Sequence, residues 1–432
     1  MKICVYGLWH LGCVTAACMA DLGFDVCGLD DDAGVIKKLA SGAAPIFEPG
    51  LDERIRKGLA SGRLSFSADM EKAFSGADVL WVAFDTPVDD EDRADIGYVE
   101  RKTLQSLEYL RGGGKVVISS QAPVGFVRAL EQACAKKYPG KELLFAVSPE
   151  NLRLGNALAI FSNPDRMVIG VRSEAHIAAF EPLFSKITTR LEWMRTESAE
   201  MTKHAINSFL AMSVVFANEV AGICESVGAD AAEVARGLKT EERIGPKAYV
   251  GPGTAFAGGT LARDIKFLIG TGDRLSKNDT LLKAVWESNN IHKDWIKRKL
   301  SEVVGGLKGR KVAVLGLTYK PGTSTLRRSL SVELCKWLAA SGAMVAAYDS
   351  QAEQLPTQLA ASVRVAHSVS EAVSDADCVI VGTEHPEFRQ LDTAALEAVC
   401  GRPVIDPSGF LRKIIEKRPG AEYFCVGRGE RL

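Results

Sequence analysis

Two stretches of this chain open in the same way. KICVYGLWHLG at residues 2–12 and KVAVLGLTYKPG at 311–322 each run from a short apolar segment into a glycine turn, and each is answered by a second apolar run closing on an aspartate, FDVCGLD and AMVAAYD. Apolar, β-branched runs of this length are buried strands. A strand, a glycine turn and a returning strand, met twice, commit the chain to parallel sheets flanked by helices. The turn in the second copy is longer, holding KPGTSTLRRS at 320–329. At 432 residues the chain has room for two to four domains.

The first copy carries the layout of a dinucleotide site. Gly7 and Gly12 bracket the turn, a helix is predicted from Cys13 to Leu22, and Asp30 follows Gly12 by 18 positions. That spacing places a carboxylate on the adenosine ribose and favours NAD over NADP, whose 2′-phosphate it would repel. The middle glycine of the pattern, which lets the backbone approach a pyrophosphate, is Trp9. The candidate NAD contacts here are Gly7, Trp9, His10, Leu11, Gly12 and Asp30. FEPG at 47–50, ADVLWVAFDTP at 77–87 and KVVISSQAPVG at 115–125 read as further elements of the same α/β unit. Ligands in such sheets bind beyond the carboxyl ends of strands, so Thr86, Ser120 and Gln121 join the cofactor candidates.

Between the two copies lies a helical segment. From residue 198 to about 227, Met201, Ala205, Phe209, Met212, Phe216, Val220, Ile223 and Val227 step by four and three, an apolar stripe destined for the core or a subunit interface. Gly228 is the expected stop. Lys203 and Asn207 lie one turn apart on another face; His204 points elsewhere and reads as structural. Beyond the helix lies RIGPKAYVGPGTAFAGGTLARD at 243–264, in which the four glycines between 251 and 259 surround Phe256, a density that costs folding free energy and marks close approach to an anion or a sugar.

The balance of 53 basic and 54 acidic residues favours neither nucleic acid nor an anionic membrane. Ten scattered cysteines form no CxxC pair or Cys/His cluster and read as free thiols in a reducing compartment, with no metal centre. The amino terminus lacks the pattern of a signal peptide, and no uncharged apolar run reaches a membrane span. A cytoplasmic location is expected.

RIGPKAYVGPG followed by AFAGGTLARD resembles the active-site segment of the UDP-glucose/GDP-mannose dehydrogenase family, GPGFGFGGSCFPKD. The resemblance extends along nearly the whole chain. The DTP and SSQAPVG segments are similar to its TP and KSTVPVG motifs, with Gln121 at the family's threonine. SPENLRLG is similar to SPEFLREG, keeping Glu150 and Arg153 and placing Leu154 at the second glutamate. TKHAINSFLA carries Lys203 and Asn207 at the family's active-site lysine and asparagine. KPGTSTLRRS resembles KPNTDDIRES, keeping Lys320, Arg327 and Ser329 but not the two aspartates. VGTEHPEF and VIDPSG match more loosely.

This resemblance implies two Rossmann-like domains joined by a central helical segment: an NAD domain at 1–197, a helical active-site domain at 198–295 that forms the core of a homodimer, and a nucleotide-sugar domain at 296–432. It implies catalytic roles for Lys203, Asn207, Thr260 and Asp264, and adds Leu154 and Arg327 to the NAD contacts. For the nucleotide sugar it implies Glu150, Arg153, Lys203, Asn207, Arg243 (given across the subunit interface), Tyr249, Gly253, Phe256, Arg263 and Lys320. In the family a cysteine attacks the aldehyde left by a first oxidation, so that a second hydride leaves from a thiohemiacetal. That cysteine is Thr260 here, and an unactivated hydroxyl is a far poorer nucleophile than a partly ionised thiol. The expected activity is NAD-dependent oxidation of a nucleotide-linked sugar, like that of the UDP-glucose 6-dehydrogenases of polysaccharide biosynthesis, with two outcomes open: a stop after one hydride, the sharper expectation, or slow oxidation of the aldehyde hydrate without a covalent intermediate. The competing expectation is a nucleotide-sugar-binding or regulatory protein that has lost catalysis.

Overall fold

The computed structural model describes residues 1–87, 89, 94–149, 152–352, 355 and 357–429. The chain packs as two compact units, Met1–Ala205 and Ile206–Leu432.

The first unit is built on eight strands: β1 (Lys2–Tyr6), β2 (Asp25–Leu29), β3 (Leu64–Ser67), β4 (Val79–Val82), β5 (Lys115–Ile118), β6 (Leu144–Val147), β7 (Met167–Val171) and β8 (Leu191–Arg195). They lie in the order β3-β2-β1-β4-β5-β6-β7-β8. All pairs are parallel except β6 with β7. Strands buried on both faces need continuous apolar sequence, and VLWV of β4 is buried throughout. Helix α1 (His10–Asp21) starts three residues earlier than expected, because the Trp9 carbonyl already accepts the Cys13 N–H at 3.1 Å. Helix α2 (Phe126–Lys137) follows the SSQAPVG segment.

Helix α3 (Thr196–Val227) is the long helix the periodicity announced, but its apolar stripe does not face the core. Phe209 is 63% exposed and Ile223 64%, with Met201, Phe216 and Val227 also exposed. The buried face carries Ala199, Glu200, His204, Asn207, Ala211, Val214, Val215, Asn218, Ala221 and Cys224. Small and polar residues make that face, so a pattern weighted by large apolar side chains points outward. The helix is long and apolar enough to cross a membrane by composition alone, yet this face packs like any core helix.

In the second unit, α4 (Thr260–Arg274), α5 (Thr280–Lys293) and α6 (Trp295–Val304) precede the sheet. Strands β9 (Lys311–Leu315), β10 (Met344–Tyr348), β11 (Val363–Val365), β12 (Cys378–Val381), β13 (Val404–Ile405) and β14 (Tyr423–Phe424) are all parallel. Their order, β11-β10-β9-β12-β13-β14, repeats that of the first six strands of the other sheet. Helix α7 (Leu330–Ala340) opens only after the long turn, with the Ser329 hydroxyl capping the Val332 N–H. All ten cysteines are free, and all but the half-buried Cys400 are buried. Burial pushes the thiols of Cys13, Cys18, Cys335, Cys378 and Cys425 well above the ordinary range.

Candidate active site

The sequence places a glycine wherever the first turn cannot hold a side chain. Gly7 has φ +93°, and a Cβ at Gly12 would lie 1.7 Å from the Gly7 carbonyl oxygen. Asp30, at the end of β2, accepts the Leu8 N–H at 2.7 Å and the Asp32 N–H at 3.0 Å, and stays half-buried beside the turn. Trp9 stands at the amino end of α1 with φ −94° and 47% exposure. No left-handed backbone is required of it, so the turn closes without the middle glycine. A tight turn whose two outer positions admit only glycine, beside a half-buried carboxylate, fits a dinucleotide.

Around this turn the structure reveals a residue that sequence reasoning missed. Glu48, of the FEPG segment, is buried; its carboxylate accepts the N–H groups of Gly155 and Ala157, each at 2.8 Å, and meets His10 Nε2 at 2.8 Å. It ties the start of α1 to the segment that follows Leu154. Arg153 is exposed, Leu154 is half-buried, and Glu150 lies outside the described residues.

At the ends of β4 and β5, Thr86 donates to the Gln121 carbonyl at 2.6 Å. Ser120 is buried, and its hydroxyl finds no partner among the described residues. Ser120, Gln121 and Lys203 line one recess together with Glu200. Glu200 is the second residue not foreseen: buried, it accepts the Gly125 and Val127 N–H groups at 2.6 and 2.9 Å and so caps α2, and burial pushes its carboxyl above the ordinary range. An isolated glutamate in a helix carries no motif that could have exposed either role. His204 is buried with Nε2 3.0 Å from the Ala122 carbonyl, the structural part expected of it.

In the second unit the glycine-rich segment folds as an extended loop running into α4. Thr260 is exposed at the first position of that helix, and Asp264 lies one turn further on, fully buried. The Asn207 side-chain amide donates to Asp264 Oδ2. Gly259 has φ +107°, and a Cβ there would meet the Tyr319 hydroxyl at 3.2 Å. That hydroxyl donates to the Gly258 carbonyl at 3.3 Å, so the long turn of the second half closes over the loop end that carries Thr260. Arg328, in the same turn, has φ +63°, one of two non-glycine residues in the left-handed region among those described. Such strain clusters at ligand sites.

A cavity of about 180 Å³ opens between this loop and the carboxyl ends of the second sheet, lined by Gly253, Thr254, Ser331, Gly382 and Pro407 among others. It occupies the topological switch point between β9 and β12, where open α/β sheets bind ligands. Phe256 is buried against Trp286, with ring centroids 6.4 Å apart, so it anchors the loop from inside. Arg263 and Lys320 are half-buried, Tyr249 and Arg327 exposed. Arg243 extends into solvent with its Nε on Glu241 Oε1 at 2.8 Å. Lys203 belongs to the first unit, and Asn207, Thr260 and Asp264 to the second.

A Rossmann turn with a ribose carboxylate, a second sheet of the same order and a glycine-rich loop at its switch point define a nucleotide-dependent oxidoreductase. The comparisons with known proteins narrow the class. Residues 1–188 match the NAD binding domain of the UDP-glucose/GDP-mannose dehydrogenase family, 197–291 its central domain and 313–413 its UDP binding domain. The chain is 35% identical over 438 residues to the UDP-glucose 6-dehydrogenase of Rhizobium meliloti, covering 99% of this chain and all of that one. It is 33% identical to UDP-glucose 6-dehydrogenase TuaD of Bacillus subtilis, covering 99% and 93%. Among solved structures it is similar to a UDP-glucose dehydrogenase from Pyrobaculum islandicum, with TM-score 0.87, 31% identity and coverage of 99% and 98%. The chain belongs to the UDP-glucose/GDP-mannose dehydrogenase family, as an NAD-dependent nucleotide-sugar dehydrogenase.

Proposed function

We propose that this chain oxidises the primary alcohol of a UDP-linked hexose, with UDP-glucose the first substrate to test, and that it stops after one hydride. The observation that carries the reading is the start of α4, where an exposed Thr260 stands one turn ahead of the buried Asp264–Asn207 pair. NAD, when bound, accepts the hydride. The residues that fit it are Gly7, Trp9, His10, Leu11, Gly12 and Asp30, with Thr86, Ser120, Gln121, Leu154 and Arg327 as further contacts.

The carbinol proton passes to a water held by Asn207 and Asp264, or to Lys203, which lies one helical turn before Asn207. As an ammonium, Lys203 also steadies negative charge developing on the substrate oxygen. Gly253, Phe256, Arg263 and Lys320 shape the sugar-diphosphate side, joined by Glu150, Arg153 and Tyr249. Thr260 can hydrogen-bond the substrate or a water, but its hydroxyl offers no thiolate to trap an aldehyde. The reaction then ends at the aldehyde, with one hydride transferred and one proton released.

Three functional segments follow in this reading: 1–197 for NAD, 198–295 for catalysis and 296–432 for the nucleotide sugar. The outward apolar stripe of α3 supports a homodimer through the central helices, since a contiguous exposed patch of this kind marks an interaction surface. Arg243 is assigned to the partner's substrate. Free, buried cysteines support work in the reducing cytoplasm.

The test is stoichiometric. Purified protein is incubated with NAD and UDP-glucose, then with other UDP- and GDP-sugars, and NADH formed per sugar consumed is counted. A ratio near one supports the single oxidation and a ratio near two refutes it. Tight sugar binding without NADH would favour the non-catalytic reading.

A further inference from the structure

Gly253, Thr254 and Ala255 of the glycine-rich loop line the cavity of about 180 Å³. A second cavity, of about 310 Å³, is bounded by Asn218 and Glu219 of α3 and Ser288 and Asn289 of α5, and shares His292 of α5 and Trp295 of α6 with the first. Apart from Pro252, Thr254 and the buried Phe256, the loop from 251 to 259 is glycine and alanine, which bring neither bulk nor side-chain hydrogen bonds to fix its path. Its backbone is also held by three polar side chains from α3 and α5.

Asn218, buried on α3, accepts the Gly253 N–H at 2.9 Å and donates to the Thr254 carbonyl at 3.4 Å. Asn289, buried on α5, accepts the Phe256 N–H at 2.9 Å and donates back to the Phe256 carbonyl at 2.9 Å. Each amide thus spends both its donor and its acceptor on the loop, satisfying backbone groups that no strand or helix pairs. One turn along α5 from Ser288, His292 lies with Nε2 2.8 Å from the Gly253 carbonyl. A carbonyl only accepts, so that nitrogen carries the proton. Burial pushes the imidazole below its ordinary range and keeps the ring neutral at neutral pH.

We infer that Asn218, Asn289 and His292 are positioning residues for the nucleotide sugar, fixing the loop that forms one wall of its cavity. The inference rests on the site reading given under Proposed function. Asn218 and His292 grip Gly253 and Asn289 grips Phe256, two residues assigned above to the sugar-diphosphate side, and the loop continues directly to Thr260. Misplacing such a wall by about an ångström costs up to 100-fold in catalytic efficiency without touching a reacting group.

The experiment measures UDP affinity by calorimetry, KM for UDP-glucose, KM for NAD and the thermal midpoint, on the full chain and its variants. Asn218→Ala, Asn289→Ala and His292→Phe are expected to raise Kd for UDP and KM for UDP-glucose by about 10-fold or more while leaving KM for NAD within roughly twofold. His292→Gln, which keeps a donor for the Gly253 carbonyl, is expected to recover most of the loss. Asn289→Asp keeps the acceptor but sets a carboxylate against the Phe256 carbonyl, and is expected to resemble Asn289→Ala. Variants that lose thermal stability yet bind UDP as the native chain does would overturn the inference, as would equal rises in both KM values. A native chain that binds no UDP-sugar would overturn the site reading itself.

Discussion

Asp349 occupies in the second half of this chain the place that Asp30 holds in the first. Each closes the second strand of its unit, and each accepts the N–H of the residue after the turn glycine, Leu8 at 2.7 Å and Leu317 at 2.6 Å. Their surroundings then diverge. Both residues are half-buried, but the Asp349 side chain is covered and collects more partners: it also accepts the N–H groups of Thr318, Gln351 and Ala352, and meets His385 Nε2 at 3.0 Å.

That sealing has a pH signature. Burial pulls the Asp349 carboxyl upward, but the bonds from His385 and the turn amides outweigh it and hold the group below the ordinary carboxylate range. A group depressed in the folded state contributes stability that is fully present above its unfolded value, about 3.9 for aspartate, and is lost as pH falls below it toward the folded value. Asp349→Asn is expected to cost about 3 kcal/mol at neutral pH, as for one partner of a buried pair, and to flatten the loss of stability below about pH 4. Urea unfolding at a series of pH values measures both.

Trp9 stands where dinucleotide turns place a glycine, and its side chain is exposed at the amino end of α1. Trp9→Gly is expected to lower KM for NAD by up to about tenfold, roughly 1.4 kcal/mol of binding, by letting the backbone approach the pyrophosphate. Initial rates at saturating UDP-glucose check this; an unchanged or raised KM would mean that the indole contributes to binding.

Thr260→Cys restores the sulfur at the head of α4. Yield is expected to move from near one NADH per sugar toward two, with a transient acyl-enzyme detectable by mass spectrometry. A ratio that stays at one would place the limit at the other departures, Gln121 and Leu154.

Asn207→Leu leaves Asp264 buried without its amide partner. The loss is expected to be about 1–3 kcal/mol in denaturant unfolding, and kcat is expected to fall about 100-fold through the lost proton path. Asn207→Asp sets two carboxylates together and is expected to be worse at pH 8 than at pH 5.

Phe209→Arg with Ile223→Arg places charge in the exposed stripe of α3. Under the proposed dimer through α3, light scattering after gel filtration is expected to give a dimer for the native chain and a monomer for the double variant.

Much of this was legible in the sequence because it rests on backbone demands. Gly7 and Gly12 announce the first turn since a side chain at Gly12 has no space, and the repeated KVAVLGL and AMVAAYD segments forecast a second sheet of the same order. The face of α3 was not legible. Counting large apolar residues selects Phe209, Phe216 and Ile223, while the packed face is made mostly of small and polar residues and also holds Val214 and Val215. Glu48, Glu200 and the pair Asn218 and Asn289 were missed as well. Each satisfies backbone groups between 33 and 109 positions away, and no local pattern encodes a bond of that span.

The ten thiols are interior or half-covered, and the position at the head of α4 holds a hydroxyl. Iodoacetamide, maleimides and other alkylating electrophiles require an accessible, ionised sulfur, and the native chain offers them almost none. In a mixed extract, an alkylator would silence family members that depend on a thiolate while sparing this one, so residual turnover after treatment could be attributed to it.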